Sequence, residues 1–138
     1  MAYELMALLT DEADISLGHL VDLLRERFAS DPGAVVRLEE YPLIGSEYVA
    51  VRWGDWSFRL SHEDEPHVQE ESREMAETCA GDRPDRGRIA GCRRRISMAA
   101  DDDPGMDHFN DYCFIMELLG KQPGVILFDP RTGEFTDN

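Results

Sequence analysis

The stretch Tyr48-Val-Ala-Val-Arg-Trp-Gly-Asp-Trp-Ser-Phe-Arg-Leu-Ser61 decides how the chain is read. Val49, Val51 and Trp53 alternate with Tyr48, Ala50 and Arg52. After Gly54-Asp55, Trp56, Phe58 and Leu60 alternate with Ser57, Arg59 and Ser61. Period-two alternation puts one set of side chains in a core and the other outside it. Two such runs joined by Gly-Asp predict a β-hairpin with a two-residue turn.

Toward the N-terminus, Tyr3–Leu9 is a short apolar run suited to a buried strand. Ser16 can cap a helix whose Leu17, Leu20, Val21, Leu24 and Phe28 recur at helical spacing. Asp31-Pro32-Gly33 stops it. Ala34–Leu38 then reads as a strand that Tyr41-Pro42 ends or places at a sheet edge. Toward the C-terminus, Pro66 suits the first turn of a surface helix over His67–Cys79, with a narrow buried stripe of Val68, Met75, Ala76 and Cys79. Ala80–Gly91 is a loop by composition, and Cys92–Ala99 alternates like a strand. Asp101–Gly105 is a turn. Met106–Leu119 is the most apolar helix, with Phe109, Tyr112, Cys113, Met116 and Leu119 at core spacing. Gly120 and Pro123 end it. Val125–Phe128 is a buried strand, followed by a turn into Glu134-Phe135.

The order is β-α-β-β-β-α-β-α-β in one domain spanning residues 1–138, with no repeat and no linker. Strands and helices mix without regular alternation, so the expected class is α+β. The expected architecture is a mainly antiparallel sheet with two or three helices packed on one face.

Composition narrows function. At 138 residues the chain can bury a core without disulfides or metal. A net charge of −15 repels phosphate backbones and anionic membranes, so neither nucleic acid nor membrane is an expected partner. It favours a basic protein. The start, MAYELMALLTDEAD, lacks the basic region of a signal peptide, no apolar run approaches a membrane span, and the three cysteines show no C-x-x-C spacing. A cytoplasmic, reduced setting is expected.

Candidate chemistry is sparse. Arg83, Arg86, Arg88, Arg93, Arg94 and Arg95 crowd thirteen positions, but no aromatic residue interleaves them, and Asp82 and Asp85 sit among them. They read as counter-charges to the acidic surround. Asp101-x-Asp103 begins like a calcium loop, but the loop glycine position is Met106 and no closing glutamate follows. Asp107 and Asp111 at i and i+4, with His108 between them, form a pair a metal enzyme can use. Acids at a helix N-terminus, with Asp103 as cap and Pro104 at the first helical position, are the stronger explanation of them. Cys92, beside arginines that could lower its pKa, is the one candidate thiol nucleophile. There is no Gly-rich phosphate loop and no G-x-S-x-G, so no cofactor and no catalytic residue is expected.

What remains is an acidic binding surface: Glu63, Asp64, Glu65, Glu70, Glu71, Asp101, Asp102, Asp103 and Asp107, all at segment junctions. A small acidic α+β chain ending in an apolar helix, a strand and a turn (Gly124–Phe135, GVILFDPRTGEF) resembles the immunity proteins of bacterial toxin competition systems. The resemblance, carried by size, charge and layout, implies a non-enzymatic protein that occludes the active site of a cognate toxin domain, as a monomer or homodimer. The alternative is a small metal- or anion-binding enzyme or ligand-binding domain. It would use Asp107, His108 and Asp111 with the Arg83–Arg95 cluster. A third reading is a structural domain that self-associates through an exposed Trp53 or Trp56 face.

Overall fold

A computed structural model describes residues 2–136. The elements are β1 (Glu4–Leu9), α1 (Leu17–Arg27), β2 (Val35–Glu40), β3 (Glu47–Trp53), β4 (Trp56–Glu63), α2 (Pro66–Thr78), α3 (Arg86–Ala90), β5 (Arg94–Ala100), α4 (Phe109–Gly120), β6 (Val125–Asp129) and β7 (Glu134–Phe135). The seven strands form one sheet in the order β2-β3-β4-β5-β1-β6-β7, and every neighbouring pair is antiparallel. The class is α+β, as expected.

The hairpin sits where the alternation puts it: Trp53 pairs with Trp56, and Val49, Val51, Phe58 and Leu60 are all inaccessible to solvent. Gly54 has φ +60 while Asp55 does not cross to positive φ, the pattern of a turn with glycine at its first central position. Ser16 caps α1 by accepting the His19 N–H at 3.1 Å. β2 is an edge strand, as Tyr41-Pro42 suggested.

The helices divide between the two faces of the sheet instead of sharing one. Leu20, Val21 and Leu24 of α1 and Tyr112, Ile115 and Leu119 of α4 join Leu5, Ala7, Val49, Phe58, Ile96 and Leu127 in the main core. Leu8 and Ile126 point the other way and meet Ala76, Ala80, Ile89 and Cys92 in a second core under α2 and α3. The cause is in β1 and β6: their runs are apolar at successive positions, so both of their faces need cover.

Two local corrections follow from the same packing. The expected loop Ala80–Gly91 contains α3, a fourth helix, because Ile89 is fully buried in the second core. The last helix begins at Phe109, three residues later than its periodicity suggested. Met106 takes a left-handed φ of +56 and Pro104-Gly105 form a turn, so the backbone cannot enter the helix there.

Gly124, with φ +76, locks β6 to the end of β1. Its carbonyl accepts the Thr10 N–H at 3.0 Å and the Thr10 hydroxyl at 2.7 Å. A Cβ there would lie 2.6 Å from both Ala13 N and Thr10 Oγ1. Gly124→Ala is expected to cost about 2–3 kcal/mol, from the left-handed backbone plus the displaced 10–13 turn. Urea denaturation would measure it, and a loss under about 0.5 kcal/mol would contradict the account.

Candidate functional site

The sequence-predicted acids separate into two groups at opposite ends of the sheet. At the hairpin-turn end lie Asp101, Asp102, Asp103 and Asp107, and most of them serve the fold. Asp101 accepts the Ser57 N–H and the Arg59 guanidinium, each at 2.9 Å. Burial alone would raise its carboxyl, but these partners hold it below the usual carboxylate range. Asp103 is buried and accepts the Tyr3 hydroxyl at 2.6 Å, the Asp107 N–H at 3.1 Å and the His108 N–H at 2.9 Å. Burial is again outweighed, chiefly by the Tyr3 hydrogen bond, and the Asp103 carboxyl is held down. Asp102 accepts the Asp103 N–H, and its own carbonyl takes the Trp56 indole N–H at 2.9 Å. Asp107 is exposed.

Beside these acids, His108 is held among aromatic rings. Its imidazole stacks on Trp56 at 4.0 Å and 17°, meets Trp53 at 4.7 Å, and places Nδ1 3.0 Å from Asp111 Oδ2. Trp53 packs edge-on against Phe28 and donates its indole N–H to Asp31 at 2.9 Å. Both tryptophans are therefore half-buried and engaged within the chain, which removes the exposed tryptophan face expected for self-association. Asp107 and Asp111 do not share a helical face, because residue 107 precedes α4. Among the described residues no three His, Cys, Asp or Glu side chains are grouped to hold a metal ion.

At the opposite end, Arg95 is buried on the α2 side of the sheet. Its Nε donates to Glu63 Oε1 at 2.9 Å, and its Nη1 lies 2.7 Å from Glu71 Oε1, off the line of an N–H. The Ser97 hydroxyl also donates to Glu63. Burial would raise the Glu63 carboxyl, but the Ser97 and Arg95 hydrogen bonds hold it below its usual value. Glu63 and Glu71 are thus committed to Arg95. Asp64, Glu65 and Glu70 remain exposed, and Asp64 and Glu65 enter an open groove of about 630 Å3 with Asp14, Glu47, His62 and Arg94. Among the described residues Asp14, Glu47 and Asp64 make no ion pair, and Glu65 meets only His67, at 3.7 Å. Asp14 and Glu47 were missed by the sequence reading because they are isolated acids. Only the pairing of β3 with β4 and the turn after β1 bring them next to Asp64.

Five of the six clustered arginines meet partners within the chain, whereas Arg93 is exposed and makes no ion pair among the described residues. Arg83 pairs with Asp85, Arg88 reaches Glu12 at 3.3 Å, Arg86 donates to the Ala76 carbonyl, and Arg94 to the carbonyls of Thr10 and Ala13. This end of the sheet is far from His108, so no single site combines the arginines with Asp107, His108 and Asp111. Cys92 is not activated. It is buried, its thiol donates to the Arg88 carbonyl at 3.3 Å, and burial pushes its pKa up to about 11 despite the arginines. Their charges point to partners of their own, so desolvation decides the shift.

Among the described residues no helix is long and apolar enough to cross a membrane. Comparison with protein-family models, curated proteins and solved structures finds no match to this chain.

Proposed function

We propose that the chain is a non-enzymatic binding protein that captures a basic protein partner, and that it acts as a bacterial immunity protein occluding the active site of a cognate toxin domain in the cytoplasm. The observation that carries this reading is the groove formed by Asp14, Glu47, Asp64 and Glu65. Among the described residues these carboxylates form no ion pair with an arginine or lysine, since Arg94 in the same groove donates to the Thr10 and Ala13 carbonyls, and the chain carries a net charge of −15. Gathered where the turn after β1, the start of β3 and the end of β4 meet, they give a directed negative field that speeds encounter with a cationic cleft. The sequence-predicted acids divide into those the fold uses and those it leaves exposed. Asp101, Asp103, Glu63 and Glu71 neutralise or cap internal groups, whereas Asp64, Glu65, Glu70 and Asp107 face solvent.

The test is co-expression with the toxin domain encoded beside the gene, read as growth protection and as retention on the tagged chain. Reversing Glu47, Asp64 and Glu65 to lysine is expected to weaken binding on the order of a hundredfold at low salt, with the melting temperature essentially unchanged. No protection and no complex with the unaltered chain would sink the proposal. The reading as a small metal- or anion-binding protein rests on the His108–Asp111 contact alone. A melting temperature raised by a divalent ion or by phosphate, and lost in His108→Ala, would favour it.

A further inference from the structure

The edge strand β2 carries an exposed apolar and charged pattern that the fold itself does not use. The direction of its backbone groups follows from the hairpin. Trp53 and Trp56 flank a two-residue turn and so form a hydrogen-bonded pair. Counting back by twos, Val51 and Val49 bond toward β4, while Arg52, Ala50 and Tyr48 bond toward β2. Their partners Val35, Arg37 and Glu39 therefore turn N–H and C=O inward, and Val36, Leu38 and Glu40 turn theirs to the free edge. Arg25 supports this assignment: its Nε and Nη2 reach the Val36 carbonyl from outside the sheet, at 3.2 and 3.1 Å. The Leu38 and Glu40 backbone groups face outward without cover from that arginine.

Apolar side chains run along the same edge. Val35, Leu38 and Tyr41 are about two-fifths exposed, Ile44 is 73% exposed and Leu43 is 99% exposed. Arg37 is exposed and makes no ion pair among the described residues.

We propose that β2 pairs antiparallel with β2 of a second copy about a two-fold axis at Leu38, joining two sheets into one. Charge selects this register. With Leu38 on the axis, Arg37 lies opposite Glu39 of the second copy, twice, on the face away from the main core, and there joins a carboxylate that already accepts from Arg52 and the Tyr48 hydroxyl. Val35 lies opposite Tyr41 on that same face. On the other face Val36 lies opposite Glu40, which brings that carboxylate beside Arg25. An axis at Arg37, Glu39 or Glu40 sets like charges against each other, and an axis at Val36 puts both arginine-held carbonyls at the centre of the ladder, whereas an axis at Leu38 leaves them at its two ends. Beyond Tyr41 the chain turns back into β3, with the Tyr41 N–H donating to the Ser46 carbonyl at 2.9 Å, so Leu43 and Ile44 sit at the tip of that turn and not in the shared ladder. The opposing net charge of −15 on each copy makes association stronger as salt rises from very low concentration.

Sedimentation velocity from micromolar to millimolar protein, in about 0.15 M salt where the screening length is about 8 Å, should show a species of twice the 15.7 kDa chain mass. Arg37→Glu replaces two attractions by two repulsions and should weaken it by roughly tenfold or more. Leu38→Cys should form a disulfide dimer under mild oxidation, because directly opposite hydrogen-bonded residues stand about 5.5 Å apart at Cα. Glu40→Cys should not. A monomer throughout the range overturns the proposal. So does a dimer that survives Arg37→Glu and fails to cross-link through Leu38→Cys, since it uses another face. Should Arg37→Glu fold poorly, the two cysteine variants decide alone.

Discussion

Replacing Asp103 with alanine lowers the melting temperature by about 10–15 °C, a loss of about 3–4 kcal/mol, more than any other single aspartate in the chain. The carboxylate is 3% exposed and satisfies three donors: the Tyr3 hydroxyl, and the N–H groups of Asp107 and His108. Alanine leaves a fully buried phenol without its acceptor and two backbone donors unpaired at the entrance to α4. A buried donor stranded in this way costs its desolvation in full, about 1–3 kcal/mol each, with water recovering part at the two backbone groups. Asp103→Asn keeps one acceptor but turns an amide donor toward a donor, and should cost about half as much.

The same site gives a pH dependence with a definite sign. Hydrogen bonds hold the folded carboxyl below its unfolded value of about 4. Its contribution is therefore complete above about pH 4 and is lost as pH falls through the lower folded value. Glu39, held down to about 2 chiefly by the Arg52 guanidinium, behaves likewise. The difference in melting temperature between the unaltered chain and Asp103→Ala should shrink from pH 5 toward pH 2. A difference constant across that range would show that Asp103 acts by shape alone.

Removing both carboxylates around Arg95 costs more than removing the arginine. The Arg95 side chain is 5% exposed, against 31% for Glu63 and 43% for Glu71. Glu63→Gln with Glu71→Gln leaves a permanent cation buried with weakened partners, at about 3–4 kcal/mol. Arg95→Met fills the same space with an apolar chain, leaves Glu63 with the Ser97 hydroxyl, and lets both acids turn to water. It should cost under about 1.5 kcal/mol. Urea midpoints of the two variants test the order. An equal loss, or a larger one for Arg95→Met, would mean that the ion pair itself stabilises the chain instead of tolerating a buried charge.

Local patterns in the chain were sufficient where one short interaction decides the outcome. Alternation on both sides of Gly54-Asp55 implied the hairpin and the Ser16 hydroxyl implied the start of α1, whereas Gly120 is the last residue of α4 and Lys121, not the glycine, caps it. The apolar runs of β1 and β6 also contained the second core, since Leu8 and Ile126 sit among residues already assigned to the first. That signal was present, and only the one-sided expectation obscured it. The late start of α4 was hidden because Met106, Phe109 and Cys113 keep helical spacing while the backbone at Met106 does not.

The acidic surface shows the division most clearly. Net charge and the absence of catalytic motifs are properties of composition, and they pointed to a binding protein without any geometry. Which carboxylates are spent on the fold and which are left to solvent is a property of distance. Glu63 and Asp64 are adjacent and chemically alike, yet one is bound to a buried arginine and the other opens into a groove beside Asp14 and Glu47. Strand alternation sends neighbouring side chains to opposite faces, and only the tertiary pairing determines what waits on each. The sequence by itself therefore determined the strands, three of the four helices, the class and the sign of the surface. The tertiary structure alone decided where that charge is free, because ion pairing and burial depend on contacts between residues far apart in the chain.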